Sequence, residues 1–192
     1  MKKAIVFLIL LALIVSGCTN NDAEKYSMQK EISDLYYEME EKLESVSNHS
    51  LNSDIDAAKE ANQEAQDILD QIKIKFTDYK NRFGYDEKVN TDSEKALELD
   101  QAFFDSMNPL LDAIKYVDEI NKQEKTATNS EIDYHINQLN ESKSKANAGK
   151  NLCSEIEDKD AWNVQNRLLA FDGIIQSDDE LINSFQELKQ QI

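Results

Sequence analysis

Carboxylates are the most abundant side chains in this sequence that could take part in chemistry. They form two clusters, which comprise Glu38, Glu40, Glu41 and Glu44 in the first and Glu155, Glu157, Asp158 and Asp160 in the second. Carboxylates can act as general acids or bases and can bind hard cations. On an amphipathic helix, however, they usually form the face that contacts water. We therefore predict a solvated surface at both places and assign no catalytic residue.

The sequence offers few other ligands or nucleophiles. His49 and His135 lack the HExxH or Glu-x-x-His spacing with which helices bind metals. His135 lies beside Ile136 at the edge of an apolar stripe, which favours a hydrogen-bonded histidine at the boundary of the core. Cys153 has helical neighbours and is predicted to be a small buried residue. No glycine-rich phosphate loop is present, and we predict no cofactor.

The segment Asp158-Lys159-Asp160 begins like a calcium-binding loop. Asn163 stands where such a loop requires glycine, and Leu169 stands where it requires a bidentate glutamate. We therefore predict no calcium site here and no other metal site in the chain.

The first residues form a different kind of pattern. Met1-Lys2-Lys3 carries two positive charges, and about 12 uninterrupted apolar residues follow from Ala4 to Val15. A membrane-spanning helix needs about 20 such residues, so this run is too short to cross a bilayer. A charged start and a short apolar core are typical of a secretory signal peptide. The next residues are Ser16, Gly17 and Cys18.

The tetrapeptide Val15-Ser16-Gly17-Cys18 resembles the lipobox of prokaryotic lipoproteins. The resemblance covers residues 1–18 only. It implies that a diacylglyceryl group, with fatty acids such as palmitate, alkylates the Cys18 thiol and that cleavage follows between Gly17 and Cys18. It also implies that the mature protein is held by lipid on the extracytoplasmic face of the cell membrane. Two acyl chains suffice for stable anchoring where one does not.

The net charge limits the partners of the chain. The sequence has 38 acidic and 21 basic side chains, a formal net charge of −17. Nucleic acids are bound through Lys and Arg, so we predict no nucleic-acid partner. Anionic lipid headgroups also attract basic rather than acidic segments. The lipid on Cys18 is therefore the predicted contact with the membrane.

The composition predicts an all-α fold. Only four glycines and one proline occur in 192 residues, whereas the many turns of an all-β fold need such residues. We expect a signal peptide at 1–17, a short tether at 18–22 and one helical domain at 23–192. Apolar residues spaced three and four apart predict four or five long helices. Short connections predict an elongated antiparallel bundle.

Capping residues suggest where the first two helices begin and end. The first is predicted from Ala23 to Ser47, followed by a loop from Asn48 to Asn52. The second is predicted to start after Ser53, with Asp56 as a weak capping-box partner. Gly84 stands where a left-handed residue would end it.

The third helix is predicted to follow a polar connection from Tyr85 to Asn90. Thr91-Asp92-Ser93-Glu94 matches a capping box. Pro109 lies inside the apolar pattern, and it predicts a kink or a break with Asn108 as the start of a new helix.

The fourth helix is predicted to start at Thr128, with Glu131 completing a capping box. The fifth is predicted to start near Asp158 to Asp160. Ser177-Asp178-Asp179-Glu180 could interrupt it, because Asp178 falls on the apolar stripe. The fourth stripe has small side chains in its middle, so either a neighbouring helix approaches closely or the helix is weak near Gly149. The stripe reads Ile132, His135/Ile136, Leu139, Ser142, Ala146, Gly149, Cys153 and Ile156.

These observations favour a non-enzymatic lipoprotein that binds or spaces an envelope protein. The alternative is a binding protein for a small cationic or metal ligand on its acidic helix faces. An enzyme with a dispersed active site on its helices is the third hypothesis, and no sequence motif supports it.

Overall fold

A computed structural model of the protein describes residues 20–84, 87–159 and 162–192. These residues form five helices and no strand, so the all-α prediction is confirmed. The helices are α1 (Asn20–Leu51), α2 (Ile55–Phe83), α3 (Glu87–Asn121), α4 (Asn129–Glu155) and α5 (Val164–Lys189). The predicted signal peptide, the cleavage site at Gly17 and the lipidated Cys18 lie outside the described residues.

Helix α3 is the central element of an antiparallel bundle. Helix α1 packs on α2, α2 packs on α3, and α3, α4 and α5 pack on one another. One face of α3 contributes Leu97, Phe104 and Leu111 to the cores shared with α1 and α2. Another face contributes residues such as Leu99 and Leu110 to the core shared with α4 and α5. Because both faces are covered, α3 joins two three-helix units into one bundle.

Ion pairs between consecutive helices follow the antiparallel register. Lys143 of α4 pairs with Asp179 of α5, and Lys150 Nζ lies 2.5 Å from Asp172 Oδ1. The lysines are seven residues apart and the aspartates are seven residues apart in the opposite direction. The same kind of match joins α1 to α2 through Glu24–Arg82, Glu31–Lys75 and Lys42–Glu64. Exposed pairs contribute little stability each, but a shifted register would lose them together.

Helix α1 extends beyond both predicted ends. It begins at Asn20 rather than Ala23, and it continues through most of the predicted loop to Leu51. The last turn is held by Asn52, whose backbone N–H and side-chain Nδ2 donate to the carbonyl oxygen of Asn48 at 3.2 and 2.9 Å. A polar side chain thus caps the helix at a place where its composition suggested a loop.

The cap of α2 is one residue later than predicted. Asp54, and not Ser53, accepts a hydrogen bond from the backbone N–H of Ala57 at 3.3 Å. Ser53 has φ of 60° and forms part of the turn itself. At the other end, Gly84 ends α2 with φ of 85° and its N–H donates to Lys80 O. The positive φ agrees with the prediction, although ψ of 170° is extended rather than left-handed helical.

Helix α3 begins at Glu87, so the predicted start at Thr91 is wrong. The predicted connection is correspondingly shorter. Asn90 and Asp92 are buried inside the bundle. The Asp92 carboxylate accepts hydrogen bonds from the backbone N–H groups of Glu157 and Asp158 at 3.1 and 3.0 Å. It therefore binds the connection between α4 and α5 and does not cap its own helix.

The predicted break at Pro109 is also wrong. Helix α3 runs through Pro109 to Asn121, and Asn108 starts no new helix. Proline deprives the Asp105 carbonyl of its usual N–H donor. Buried Leu110 and Leu111 belong to different cores, which hold the helix on both sides. Tertiary packing thus outweighs the local cost of the proline.

The start of α4 is confirmed. Thr128 Oγ1 accepts a hydrogen bond from the Glu131 backbone N–H at 3.3 Å and donates to Glu131 Oε2 at 2.7 Å. The start of α5 is later than predicted, at Val164. Residue Asn163 precedes it with left-handed φ and ψ of 51° and 38°.

Helix α5 continues without interruption to Lys189, so the predicted break at Ser177–Glu180 does not occur. Asp178 is fully buried and hydrogen-bonded to α4, which explains why a polar residue is tolerated on this stripe.

Candidate functional sites

The two carboxylate clusters lie in water, as predicted. Glu38, Glu40, Glu41 and Glu44 are exposed on α1, and Glu155, Glu157 and Asp158 are exposed at the end of α4, whereas Asp160 lies outside the described residues. In the part of the chain that the structure describes, no three His, Cys, Asp or Glu side chains are grouped to hold a metal ion. At the start of the calcium-like segment, the Asp158 backbone N–H donates to Asp92 Oδ2 at 3.0 Å.

His135 lies in an aromatic cluster formed by α3, α4 and α5. Its ring stacks on Tyr116 at 4.4 Å between centroids and on Phe185 at 5.9 Å. Burial lowers the pKa of His135, and the Asp112 carboxylate opposes this effect. The Nδ1 atom is buried and has no hydrogen-bond partner among the described residues. The prediction of a boundary histidine is therefore correct in position, but the expected hydrogen bond is missing at Nδ1.

His49 and Cys153 show no catalytic arrangement. His49 is at the exposed α1–α2 turn, where Nδ1 lies 3.9 Å from Asp54 Oδ2. Cys153 is 1% exposed and belongs to the core of α3, α4 and α5. Burial raises the pKa of the Cys153 thiol, which disfavours the reactive thiolate. The prediction that Cys153 is a small buried residue is confirmed.

The small face of α4 is a close-packing surface. Seven residues of the predicted stripe are buried, whereas His135 and Ile136 are partly buried; the buried ones are Ile132, Leu139, Ser142, Ala146, Gly149, Cys153 and Ile156. A Cβ built on Gly149 would lie 2.6 Å from Cε1 of Phe171 and closer still to Cζ. Of the two alternatives, the close approach of a neighbouring helix is the correct one. The Phe171 ring fills the space beside Gly149.

A buried ion pair joins α3 to α5 and was not predicted. Arg167 Nη1 donates to Asp100 Oδ1, and Arg167 Nε donates to the Trp162 carbonyl at 3.1 Å. The Asp100 side chain is 5% exposed and that of Arg167 is 24% exposed. The Trp162 ring meets Tyr36 of α1 edge to face at 6.4 Å. This cluster connects α1, α3 and the start of α5.

The charged and polar groups of this cluster hold α3 and the start of α5 together. Burial raises the pKa of the Tyr36 hydroxyl and lowers that of the Arg167 guanidinium. The guanidinium offsets the charge of Asp100, whose Oδ2 is buried and has no partner among the described residues. Asp100 and Arg167 are 67 residues apart in sequence, so no local pattern could have identified them as a pair.

A second unpredicted polar group lies between α3, α4 and α5. Ser142 Oγ lies 2.6 Å from Asp178 Oδ2 and 2.8 Å from the carbonyl oxygen of Ser106. Ser106, Ser142 and Asp178 are all buried. Burial raises the pKa of Asp178 to about 6, and the hydrogen bond from Ser142 opposes this effect. The position of Asp178 on an apolar stripe was the one sequence signal for this group.

Ser142 and Asp178 do not form a catalytic triad with His135. His135 precedes Ser142 by seven residues on α4, which is about 10 Å along the helix axis. Its ring is held between Tyr116 and Phe185. A nucleophilic serine needs a base within hydrogen-bond reach and access for a substrate. Ser142 is fully buried, so this arrangement supports packing rather than catalysis.

A third polar group aligns α2 with α3. Asn62 Nδ2 donates to Asn108 Oδ1 at 2.6 Å, and Asn108 Nδ2 donates to Gln66 Oε1 at 3.0 Å. Asn62 is fully buried. A buried asparagine between helices favours the register in which its amide finds a partner.

None of the five helices combines the length and apolar character of a membrane span within the described residues. No family model, no curated protein and no solved structure matches the chain.

Proposed function

We propose that the protein is a lipid-anchored lipoprotein of the cell envelope whose helical bundle binds or spaces another envelope protein. The observation that carries the proposal is Val15-Ser16-Gly17-Cys18, directly after a charged start and a short apolar segment. Two acyl chains on Cys18 would anchor the bundle stably. The acidic surface supplies no alternative attraction to anionic headgroups.

The position of α1 supports a bundle held close to the membrane. Helix α1 begins at Asn20, two residues after Cys18. Two extended residues span only about 7 Å. The antiparallel order then places the α2–α3 and α4–α5 connections at the same end as Asn20. The α1–α2 turn, the α3–α4 connection and the end of α5 would point away from the membrane and meet a partner there.

The interior of the bundle supports a role that does not require catalysis. Ser142 and Asp178 are enclosed between helices, and the Cys153 thiol is enclosed in the same core. The carboxylates on α1 lie on its exposed face, where they contact water. These features suit a rigid scaffold that presents its surface to another protein.

Lipid labelling of the full chain in a bacterial host tests the anchor. The wild type should incorporate a labelled fatty acid and sediment with membranes, whereas Cys18→Ala should lose the label and appear in the medium. Cys153→Ala is the matched control, because Cys153 is the other of the two cysteines, and it should behave as the wild type. A Cys18→Ala protein that keeps both label and membrane association would contradict the proposal.

Crosslinking on intact cells, followed by purification of the lipoprotein, tests the binding role. We expect an envelope protein to copurify with the full chain. A lipoprotein that carries the same residues 1–19 ahead of an unrelated helical domain is the control and should not capture it. Absence of any partner together with turnover of an envelope substrate would contradict a binding role.

A further inference from the structure

In the buried group formed by Ser106, Ser142 and Asp178, two contacts compete for the single hydrogen of the Ser142 hydroxyl. Ser142 Oγ is close enough to hydrogen-bond both the Ser106 carbonyl, at 2.8 Å, and Asp178 Oδ2, at 2.6 Å. Both of these oxygens are acceptors when Asp178 is ionised. A serine hydroxyl has one hydrogen, so it cannot donate to both at once.

A protonated Asp178 satisfies both contacts. The carboxylic acid then donates from Oδ2 to Ser142 Oγ, and the Ser142 hydroxyl donates to the Ser106 carbonyl. One chain of hydrogen bonds thus runs from α5 through α4 to α3. Ionised Asp178 would leave one of the two contacts without a hydrogen. It would also bury a charge whose second oxygen, Oδ1, has no partner among the described residues.

The charged groups around Asp178 do little to stabilise its ionised form. Lys143 of α4 attracts a negative charge at Asp178, but its ammonium group is paired with Asp179 of α5, which repels that charge. On α3, Asp105 directly precedes Ser106, and its Oδ2 atom lies 3.6 Å from Lys145 Nζ. Burial therefore dominates and raises the pKa of Asp178 to about 6.

We propose that Asp178, Ser142 and Ser106 form a proton-dependent clamp, which holds α5 against α3 and α4 while Asp178 is neutral and weakens when Asp178 ionises. The clamp is independent of the lipid anchor, because it rests only on contacts inside the bundle. Its own contribution to the stability of the bundle is larger in mildly acidic surroundings than in neutral ones.

Two measurements on the wild type and on Asp178→Asn test the clamp. The first is the NMR titration of the Asp178 side-chain carboxyl carbon, which should show a neutral acid at pH 5 and ionisation near pH 6. The second is amide hydrogen exchange of α5 at pH 5 and 7.5, corrected for intrinsic rates. Relative to Asp178→Asn, wild-type protection should fall about tenfold between these pH values, as follows from a pKa of about 6 in the folded state against about 3.8 in the unfolded state. The amide of Asp178→Asn remains neutral throughout.

Asp172→Asn is the matched control, because Asp172 is an exposed residue of α5 that pairs with Lys150 of α4 and lies six residues before Asp178. It should keep the pH dependence of the wild type. An Asp178 carboxyl that is already ionised at pH 5 would overturn the clamp. The clamp would also be overturned if amide exchange of α5 in Asp178→Asn showed the same pH dependence as in the wild type. The wild-type titration decides the question even if Asp178→Asn does not fold.

Discussion

Gly149 of α4 lies against the ring of Phe171 of α5, so closely that no Cβ fits between them. Phe171 is 1% exposed and also meets Phe103 of α3 edge to face at 6.2 Å. The ring therefore fixes the spacing of all three helices of this unit. A glycine in the middle of a helix normally destabilises it, and here the absence of a side chain is what allows the helices to approach.

Gly149→Ala should destabilise the bundle despite the better helix propensity of alanine. Overpacking a core typically costs about 1 to 3 kcal/mol. Gly173→Ala is the matched control on α5, since nothing lies within 4 Å of its added Cβ. It should stabilise the protein by about 0.5 to 1 kcal/mol. Urea unfolding measures both changes. Equal stabilisation by the two alanines would show that Phe171 moves aside freely.

Pro109→Ala should stabilise the protein. The helix is continuous at this position, and proline in a helix interior costs about 3 kcal/mol relative to alanine. The rigid proline recovers part of that cost by restricting the unfolded chain, so we expect a net gain of about 2 kcal/mol. Pro109→Gly also restores the N–H group but should gain about 1 kcal/mol less. A loss of stability in both variants would mean that the proline ring makes an important packing contact.

Asp100→Asn should destabilise the protein strongly, because it leaves the Arg167 charge largely buried without its partner. Removing one member of a buried pair costs about 3 to 5 kcal/mol, and the partial exposure of Arg167 reduces our expectation to about 2 kcal/mol. Asp34→Asn is the control, because the Lys30–Asp34 pair is more than half exposed, and its midpoint of thermal unfolding should not change measurably. A similar midpoint of thermal unfolding for Asp100→Asn and Asp34→Asn would contradict the stabilising role of the Asp100–Arg167 pair.

His135 should make the folded protein less stable at acidic pH. Its folded-state pKa is lowered by burial, so the unfolded chain binds the proton more readily. The contribution of neutral His135 is therefore fully present above the unfolded pKa of about 6.5 and is lost as the pH falls from there through the lower folded-state pKa. As the pH falls from 7.5 to 5, the stability of His135→Gln relative to the wild type should therefore increase, and urea unfolding at the two pH values measures this difference. Identical pH profiles for wild type and His135→Gln would refute this assignment.

The sequence predicted the helical class and much of the core because these depend on local periodicity. The Thr128 capping box occurs as predicted, and the predicted stripe from Ile132 to Ile156 is buried except at His135 and Ile136, which are partly buried. Three of the false predictions share one cause. Thr91, Pro109 and Asp178 carry local signals that start or break helices, but each lies in a helix that neighbouring helices hold in place.

The buried polar groups could be predicted only in part. Asp178 was conspicuous on an apolar stripe, but its partners Ser142 and Ser106 lie on other helices. The pairing of Arg167 with Asp100 depends on how α5 returns along α3. Such contacts arise from the packing of whole helices, which one-dimensional spacing does not specify.

The intact mass of the protein purified from membranes tests the lipid anchor most directly. The proposal predicts a chain that begins at Cys18, lacks residues 1–17 and carries the additional mass of a diacylglyceryl group on that residue. Treatment that hydrolyses ester-linked fatty acids should remove most of this additional mass. A membrane-derived chain that still begins at Met1, or one that begins at an unmodified Cys18, would contradict the account.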